Sequence, residues 1–298
     1  MLTQRRKTLS LDNVAISPRY SDRALGNQSL GAQSSVYKGI PIVASSHDAV
    51  GTFEMATVFE EHNMGSFIST RYDISELYDY FFKDRGNIIP SFGYTEGQQH
   101  KWNELKGSLP SGKIKAIQFA CNTPHNISYM YELSKFKEQN PDLIIYTSPV
   151  SDPYVAARLA EVGADVILVG NDARYISTNA NTPGIGIGHV TALTECIEAV
   201  HQRNGLVMGA GYYDDNSDVC KALALGADMI QLEETLLGHE ECYGKTEQQN
   251  GEMIKNDIPY KGSVNNEITS LISTLSECMV QVGVDNIQNI KNADVVLV

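Results

Sequence analysis

A short apolar run recurs eight times along this chain, each time followed by a turn and a helix-like stretch, and that rhythm constrains the fold more than any other feature. The runs are Ile40–Ala44, Ser66–Ser69, Ile88–Pro90, Ile114–Phe119, Leu143–Tyr146, Val166–Val169, Leu206–Met208 and Met229–Leu232. Continuous apolar runs bounded by turn signals are the mark of strands buried on both faces. The stretches between them carry helical spacing. Asp152-Pro153 opens one, with Asp as N-cap and Pro at the first helical position. Val155, Leu159 and Val162 then recur at three- and four-residue steps, and Gly163 stands where a C-terminal stop belongs. "ARLAEVGADVILVG" therefore reads as helix, stop, buried strand. "SDVCKALALGADMIQL" repeats that grammar with Ser217 as cap, a helix over Val219–Leu225, Gly226 as stop and a strand over Met229–Leu232. Eight strands alternating with helices predict a single (β/α)8 TIM barrel rather than an open doubly wound sheet. No GxGxxG follows the first strand, and the alternating glycines of "GIGIGHV" (Gly184–Val190) follow a loop.

At 298 residues the chain allows one or two domains. The eight-unit count favours one over residues 1–298, with 1–36 as an N-terminal arm. Lys plus Arg number 23 and Asp plus Glu 36, a formal net charge of −13. That balance argues against a nucleic-acid partner, because phosphate backbones are gripped by clustered cations. It also makes an anionic small-molecule ligand depend on local positive charge or helix N-termini. No apolar run approaches the roughly 18 residues of a membrane span. The polar, basic start Met1–Leu11 is unlike a secretory signal. Five cysteines without a CxxC pair read as reduced thiols, which points to a cytoplasmic protein.

In a (β/α)8 barrel the chemistry sits on the loops after the strands. The sixth, Gly170–His189, is the longest and has no apolar periodicity, which marks it as the first place to look. Ser45, His47 and Asp48 stand just after the first strand. His47 beside Asp48 reads either as an acid–base pair or as a loop turn, since adjacent side chains point apart. Tyr175, Tyr212 and Tyr213 read either as an aromatic lid over a planar ligand or as volume filling. His47, His125, His189 and His239 lack HxH or HExxH spacing, so no metal is expected. Cys121 reads as a buried thiol or as a nucleophile from the fourth loop.

Longer segments carry a resemblance. "YKGIPIVASSHDAVGTFEMA" (Tyr37–Ala56) resembles the first strand and loop of the IMP dehydrogenase/GMP reductase family, and "LSLDNVAISPRYSD" (Leu9–Asp22) its N-terminal arm. "GADVILVGNDARYISTNANTPGIGIGHVTAL" (Gly163–Leu193) is similar to its strand, catalytic loop and return. "IPYKGSVNNEITSLISTLSECMVQVGVDNI" (Ile258–Ile287) resembles the C-terminal strand and helix of the reductase branch. The resemblance implies a homotetramer and an NADPH-dependent oxidoreductase acting on a purine nucleotide through a loop cysteine.

The positions that would carry that chemistry differ here. The loop cysteine falls on Ser177, a weak nucleophile without an adjacent base. The loop threonine falls on Asn179, with Thr178 beside it, and the partner glutamate falls on Asp257. The ribose-binding aspartate falls on Ala210, followed by Gly211 and Tyr212. The strand-four aspartate falls on Ala120, the lysine after the second strand on Thr70, and the phosphate-cradling glycines on Glu233 and Glu234. The flap shortens to 239–256. Glycine backbone N–H groups hold phosphate because nothing blocks close approach. Two carboxylates there repel a dianion unless Arg71 or Arg174 supplies a new anchor. Three outcomes stay open: a diverged NADPH-dependent reductase, a silent member serving as scaffold or regulator beside an active homologue, and a barrel with a neutral or cationic ligand.

Overall fold

The computed structural model describes residues 7–170, 186–243 and 259–298. Eight parallel strands close into a barrel: β4 (Ile42–Ala44), β5 (Gly65–Ile68), β6 (Ile88–Gly93), β7 (Ala116–Ala120), β8 (Ile144–Tyr146), β9 (Val166–Gly170), β10 (Leu206–Ala210) and β11 (Met229–Leu232). The ring closes where β11 pairs with β4, Leu232 standing opposite Ala44. Each of the eight runs is a strand, so the (β/α)8 expectation holds. The bounds shift by a few residues. β6 continues past Pro90 to Gly93 because Ser91 turns inward, its hydroxyl donating to Gln118 Oε1 at 2.7 Å. β7 begins at Ala116 rather than Ile114.

Among the described residues, one α-helix follows each barrel strand: α1 (Phe53–Glu61), α2 (Ile74–Phe82), α3 (Glu96–Ser108), α4 (Ile127–Gln139), α5 (Pro153–Glu161), α6 (His189–His201), α7 (Asn216–Ala224) and α8 (Val264–Gln281). Local chemistry starts and stops them. Asp152 caps α5 by accepting from Val155 N at 3.0 Å. Gly163 and Gly226 follow α5 and α7 at φ 107° and 109°, in the left-handed region that suits glycine. The cap of α7 differs from expectation. Asp215, not Ser217, accepts from Ser217 N and Asp218 N, and the Ser217 hydroxyl itself donates to Asp215. A carboxylate two residues upstream therefore takes the role, and the helix starts three residues earlier than expected.

The twice-used "GAD" has a structural reason beyond the glycine stop. Asp165 Oδ2 accepts from Ile145 N of β8 at 2.8 Å and from Lys137 Nζ at 2.9 Å. Asp228 Oδ2 accepts from Val207 N of β10 at 2.9 Å and meets His201 Nε2 at 2.7 Å. In both, the aspartate ahead of one strand satisfies a backbone donor at the start of the strand before it, and a cationic or cationisable helix residue completes the contact.

Inside the barrel, Val43, Phe67, Ile89, Tyr146, Leu168 and Met208 form a buried cluster drawn from strands around the ring, with Phe67 and Tyr146 edge to face at 5.4 Å. Tyr37 joins them below, its hydroxyl donating to Ile40 O at 2.7 Å. A second core lies between strands and helices. Of the N-terminal arm, β1 (Val14–Ile16) pairs antiparallel with β12 (Val295–Leu297), and β2 (Ala32–Gln33) with β3 (Lys38–Gly39). The expected C-terminal strand ahead of α8 is, among the described residues, a single bridge between His239 and Gly262. No helix of the described residues is long and apolar enough to cross a membrane.

Candidate functional site at the barrel mouth

The strand ends and following loops define a mouth whose described part has three arcs. At the first, β4 meets β11. Ser45 is buried, and its N–H donates to Leu232 O at 2.8 Å. Its hydroxyl donates to Glu233 Oε2 at 2.6 Å and accepts from His47 N at 3.1 Å. Glu233 leaves β11 and Glu234 starts a turn of 3-10 helix (Glu234–Leu236). Glu234 is half-buried, and its carboxyl pKa is pushed up to about 8, by burial first, then by Glu233, with Asp214 adding to the rise. Near neutral pH the site therefore holds a protonated carboxylic acid, able to donate a hydrogen bond, beside a second carboxyl group.

His47 and Asp48 do not act as a pair here. His47 Nδ1 accepts from Ala49 N at 3.3 Å, and His47 O accepts from Val50 N and Gly51 N. Asp48 accepts from the hydroxyl of Ser69, tying the first loop to the end of β5. The loop-turn reading of these two residues describes their contacts. Thr52 closes the turn by capping α1 and donating to Glu241 O at 2.6 Å.

The second arc follows β9 and β10. Gly170 faces the β10 backbone so closely that a Cβ would stand 1.9 Å from Ala210 O. A Cβ on Gly211 would stand 2.5 Å from the His189 ring. His189, buried at the start of α6, meets the Tyr213 hydroxyl through Nε2 at 3.1 Å. Tyr213 is buried, and burial raises its phenol pKa. For Tyr213 the volume-filling reading holds rather than the lid: its hydroxyl lies 2.6 Å from where a Cβ on Gly209 would stand. Tyr212 is half-exposed at the rim.

The third arc follows β5. Arg71 donates through Nη2 to the Tyr72 hydroxyl at 2.6 Å, and its guanidinium lies 3.6 Å from the Tyr243 ring centroid. That engagement uses one terminal nitrogen and the face of the guanidinium, while its buried Nε has no hydrogen-bond partner among the described residues. Lys101, on α3, donates to the backbone carbonyls of Thr70 and Tyr72, and burial lowers its ammonium pKa. Sequence reasoning missed Lys101 because it lies outside every strand-end loop. It brings a cation to Thr70, where the resemblance would expect a lysine. Glu241 was also missed in its structural part: it accepts from Ser263 Oγ and Val264 N and so tethers the start of α8.

Cys121, at the end of β7, is half-exposed rather than buried, its sulfur accepting from Thr123 N at 3.2 Å. The four histidines are engaged separately: His125 accepts from Ser151 N, His239 meets Gly262 O, and His47 and His189 have the partners above. Ser177, Thr178, Asn179, Asp257, Arg174 and Tyr175 lie outside the described residues, as does most of the 239–256 flap.

The fold and this site define a (β/α)8 barrel with a carboxylate-rich arc at its C-terminal mouth. The model of the IMP dehydrogenase / GMP reductase domain matches residues 95–258. The chain is similar to GMP reductase of Onchocerca volvulus, 30% identical over 225 residues, covering 74% of this chain and 61% of that protein. It is also similar to GMP reductase 1 of Rattus norvegicus and of Homo sapiens, each 26% identical over 279 residues, covering 83% of this chain and 80% of the relative. The chain belongs to the IMP dehydrogenase/GMP reductase family.

Proposed function

We propose that this chain is a diverged GMP reductase-like protein whose mouth takes a ligand lacking a phosphate, neutral or cationic at that end, with a purine nucleoside as first candidate. The observation that carries this reading is the Ser45–Glu233–Glu234 arrangement. The resemblance assigns the Glu233 and Glu234 positions to a phosphate cradle. A carboxylate about 4–6 Å from a phosphate, at an effective dielectric near 20, costs about 3–4 kcal/mol per charge pair. That exceeds the net gain from one hydrogen bond, about 1 kcal/mol. A protonated Glu234 beside a Ser45-bound Glu233 instead offers both a donor and an acceptor to an uncharged polar group.

NADPH, which the resemblance implies, is also polyanionic. Among the described residues beside the mouth, Arg71 is held by Tyr72 and Tyr243, and Lys101 by two carbonyls. Of these two cations, only Arg71 keeps an unpartnered donor, its Nε, that a phosphate could use. A wider groove of about 750 Å³ that includes Lys38, Arg85, Lys113 and Lys115 in its lining lies at the opposite end of the barrel. In the reading where nucleotide reduction survives, Ser177, Thr178, Asn179 and Asp257 form the catalytic set and Arg174, Tyr175, Gly211 and Tyr212 help hold the ligand. In the silent reading, Ala120 and Ala210 end their strands without a polar group, and the chain serves beside an active homologue. A homotetramer, a single domain over 1–298 and a cytoplasmic location are expected by family relation.

A thermal-shift series over guanosine, inosine, GMP, IMP and NADPH, with absorbance at 340 nm followed for GMP plus NADPH, separates these. A shift with nucleosides alone supports the proposal. A shift with GMP and loss of absorbance supports surviving reduction and overturns the proposal. No shift with any compound supports the silent reading.

A further inference from the structure

Away from the mouth, the outer flank carries a chemistry that the barrel function does not use. Cys220 lies in α7 and Cys278 in α8, and these helices pack against each other. The two thiols act on each other's titration. The Cys220 sulfur also lies 3.9 Å from the carbonyl oxygen of Thr274, one helical turn before Cys278. Both cysteines line a cleft of about 220 Å³ with Ile16, Pro18, Lys221 and Glu277. Cys220 is 3% exposed, whereas Cys278 is half-exposed toward the cleft.

The two sulfurs are not equivalent. Hydrogen bonding from Cys220 lowers the pKa of Cys278, and the same contact, with burial, raises that of Cys220. The thiolate is the nucleophile in thiol oxidation. The other cysteines lack this arrangement. Burial pushes the Cys196 thiol up to about 12, Cys242 is buried and donates to Leu236 O, and the Cys121 sulfur meets Thr123.

We propose that Cys278 and Cys220 form an attacking and resolving thiol pair that hydrogen peroxide converts to a disulfide joining α7 to α8. The Cys278 thiolate attacks one peroxide oxygen. The S–O bond forms, the O–O bond breaks, and the departing hydroxide takes the proton Cys278 gave up and leaves as water. Sulfur is oxidised by two electrons to sulfenic acid and the peroxide oxygen is reduced. The Cys220 sulfur then attacks the Cys278 sulfur. The S–S bond forms, the S–O bond breaks, and the hydroxyl leaves as water with the Cys220 proton. An oxidant-triggered disulfide of this kind suits a chain whose thiols are otherwise reduced, and it rests on none of the mouth residues.

The test is a titration of the full chain with hydrogen peroxide, read by non-reducing peptide mass spectrometry and by thermal melting. A 220–278 cross-linked peptide 2 Da lighter than the reduced pair is expected, with the melting temperature raised by roughly 5 °C and restored by dithiothreitol. Cys220→Ser is expected to accumulate a dimedone-reactive sulfenic acid at Cys278. Cys278→Ser is expected to form neither that product at Cys220 nor a disulfide. Cys278 is expected to react about tenfold faster than Cys121 in the same sample. Cys121 reacting as fast as Cys278, or peroxide consumption with no 220–278 link, would overturn the proposal.

Discussion

Two arcs of the same mouth differ, by opposite means, from the ligand contacts that the resemblance implies. Along β9 and β10, polar contact has given way to packing. Ala210 stands where the resemblance expects an aspartate, Gly170 touches the β10 backbone, His189 fills the space at Gly211 and Tyr213 that at Gly209. Along β11 and β4, where the resemblance implies a backbone cradle, stand two carboxyl groups, Glu233 bound by Ser45 and Glu234 with its pKa pushed up to about 8. The first arc is closed by volume and the second by electrostatics. A barrel wall can thus be kept while its ligand set is rewritten one loop at a time, because the loops add little to the strand-and-helix core.

Restoring the cradle should have the largest effect. Glu233→Gly with Glu234→Gly is expected to raise GMP affinity about 100-fold over the parent chain, read by calorimetric titration, since the Glu233 repulsion is removed and the glycine backbone is exposed to the phosphate. An unchanged affinity would mean that the packed arc, and not the charged one, excludes the nucleotide. Gly170→Ala tests the packed arc. Its Cβ would stand 1.9 Å from a backbone oxygen, so the chain must shift, at a cost of about 3 kcal/mol in urea unfolding. A neutral result would show that the arc is loose.

Glu234→Gln should be smaller and pH-dependent. A glutamate in an unfolded chain titrates near 4.3, and Glu234 in the fold near about 8. Between those values the unfolded chain releases a proton that the folded chain keeps. The native Glu234 therefore supports the fold fully at low pH, and that support is lost as pH rises through about 8. The shift corresponds to about 5 kcal/mol for a fully buried group. Discounted for the partial solvent access of Glu234, the variant is expected to match the parent near pH 4 and to exceed it by about 2 kcal/mol near pH 9, a gain that a pH series of denaturation curves would show. The smallest effect is expected from Tyr213→Phe, about 1 kcal/mol for the lost contact with His189, measured in the same way.

The strands were legible because burial on both faces leaves an uninterrupted apolar run, as in Val166–Gly170, where all five residues are buried. The α5 cap was legible because Asp and Pro each act locally. The α7 cap was misread because Asp215 and Ser217 both suit the role, and choosing between them needs the Ser217 hydroxyl's own direction. The lid and filling readings of Tyr213 could not be separated in sequence because its burial depends on Gly209 and on a histidine from another loop. Lys101 was invisible for the same reason: its contact with Thr70 spans 31 positions and leaves no local pattern. At the mouth, Ser45 and Glu233 could each be named from position, but not the hydrogen bond that joins them across 188 positions.

The most direct measurement is a parallel titration of the unmodified chain with guanosine and GMP at neutral pH and low salt, where charge repulsion is least screened. The acidic arc predicts that guanosine binds more tightly than GMP and that added salt narrows the gap. Tighter binding of GMP would contradict it.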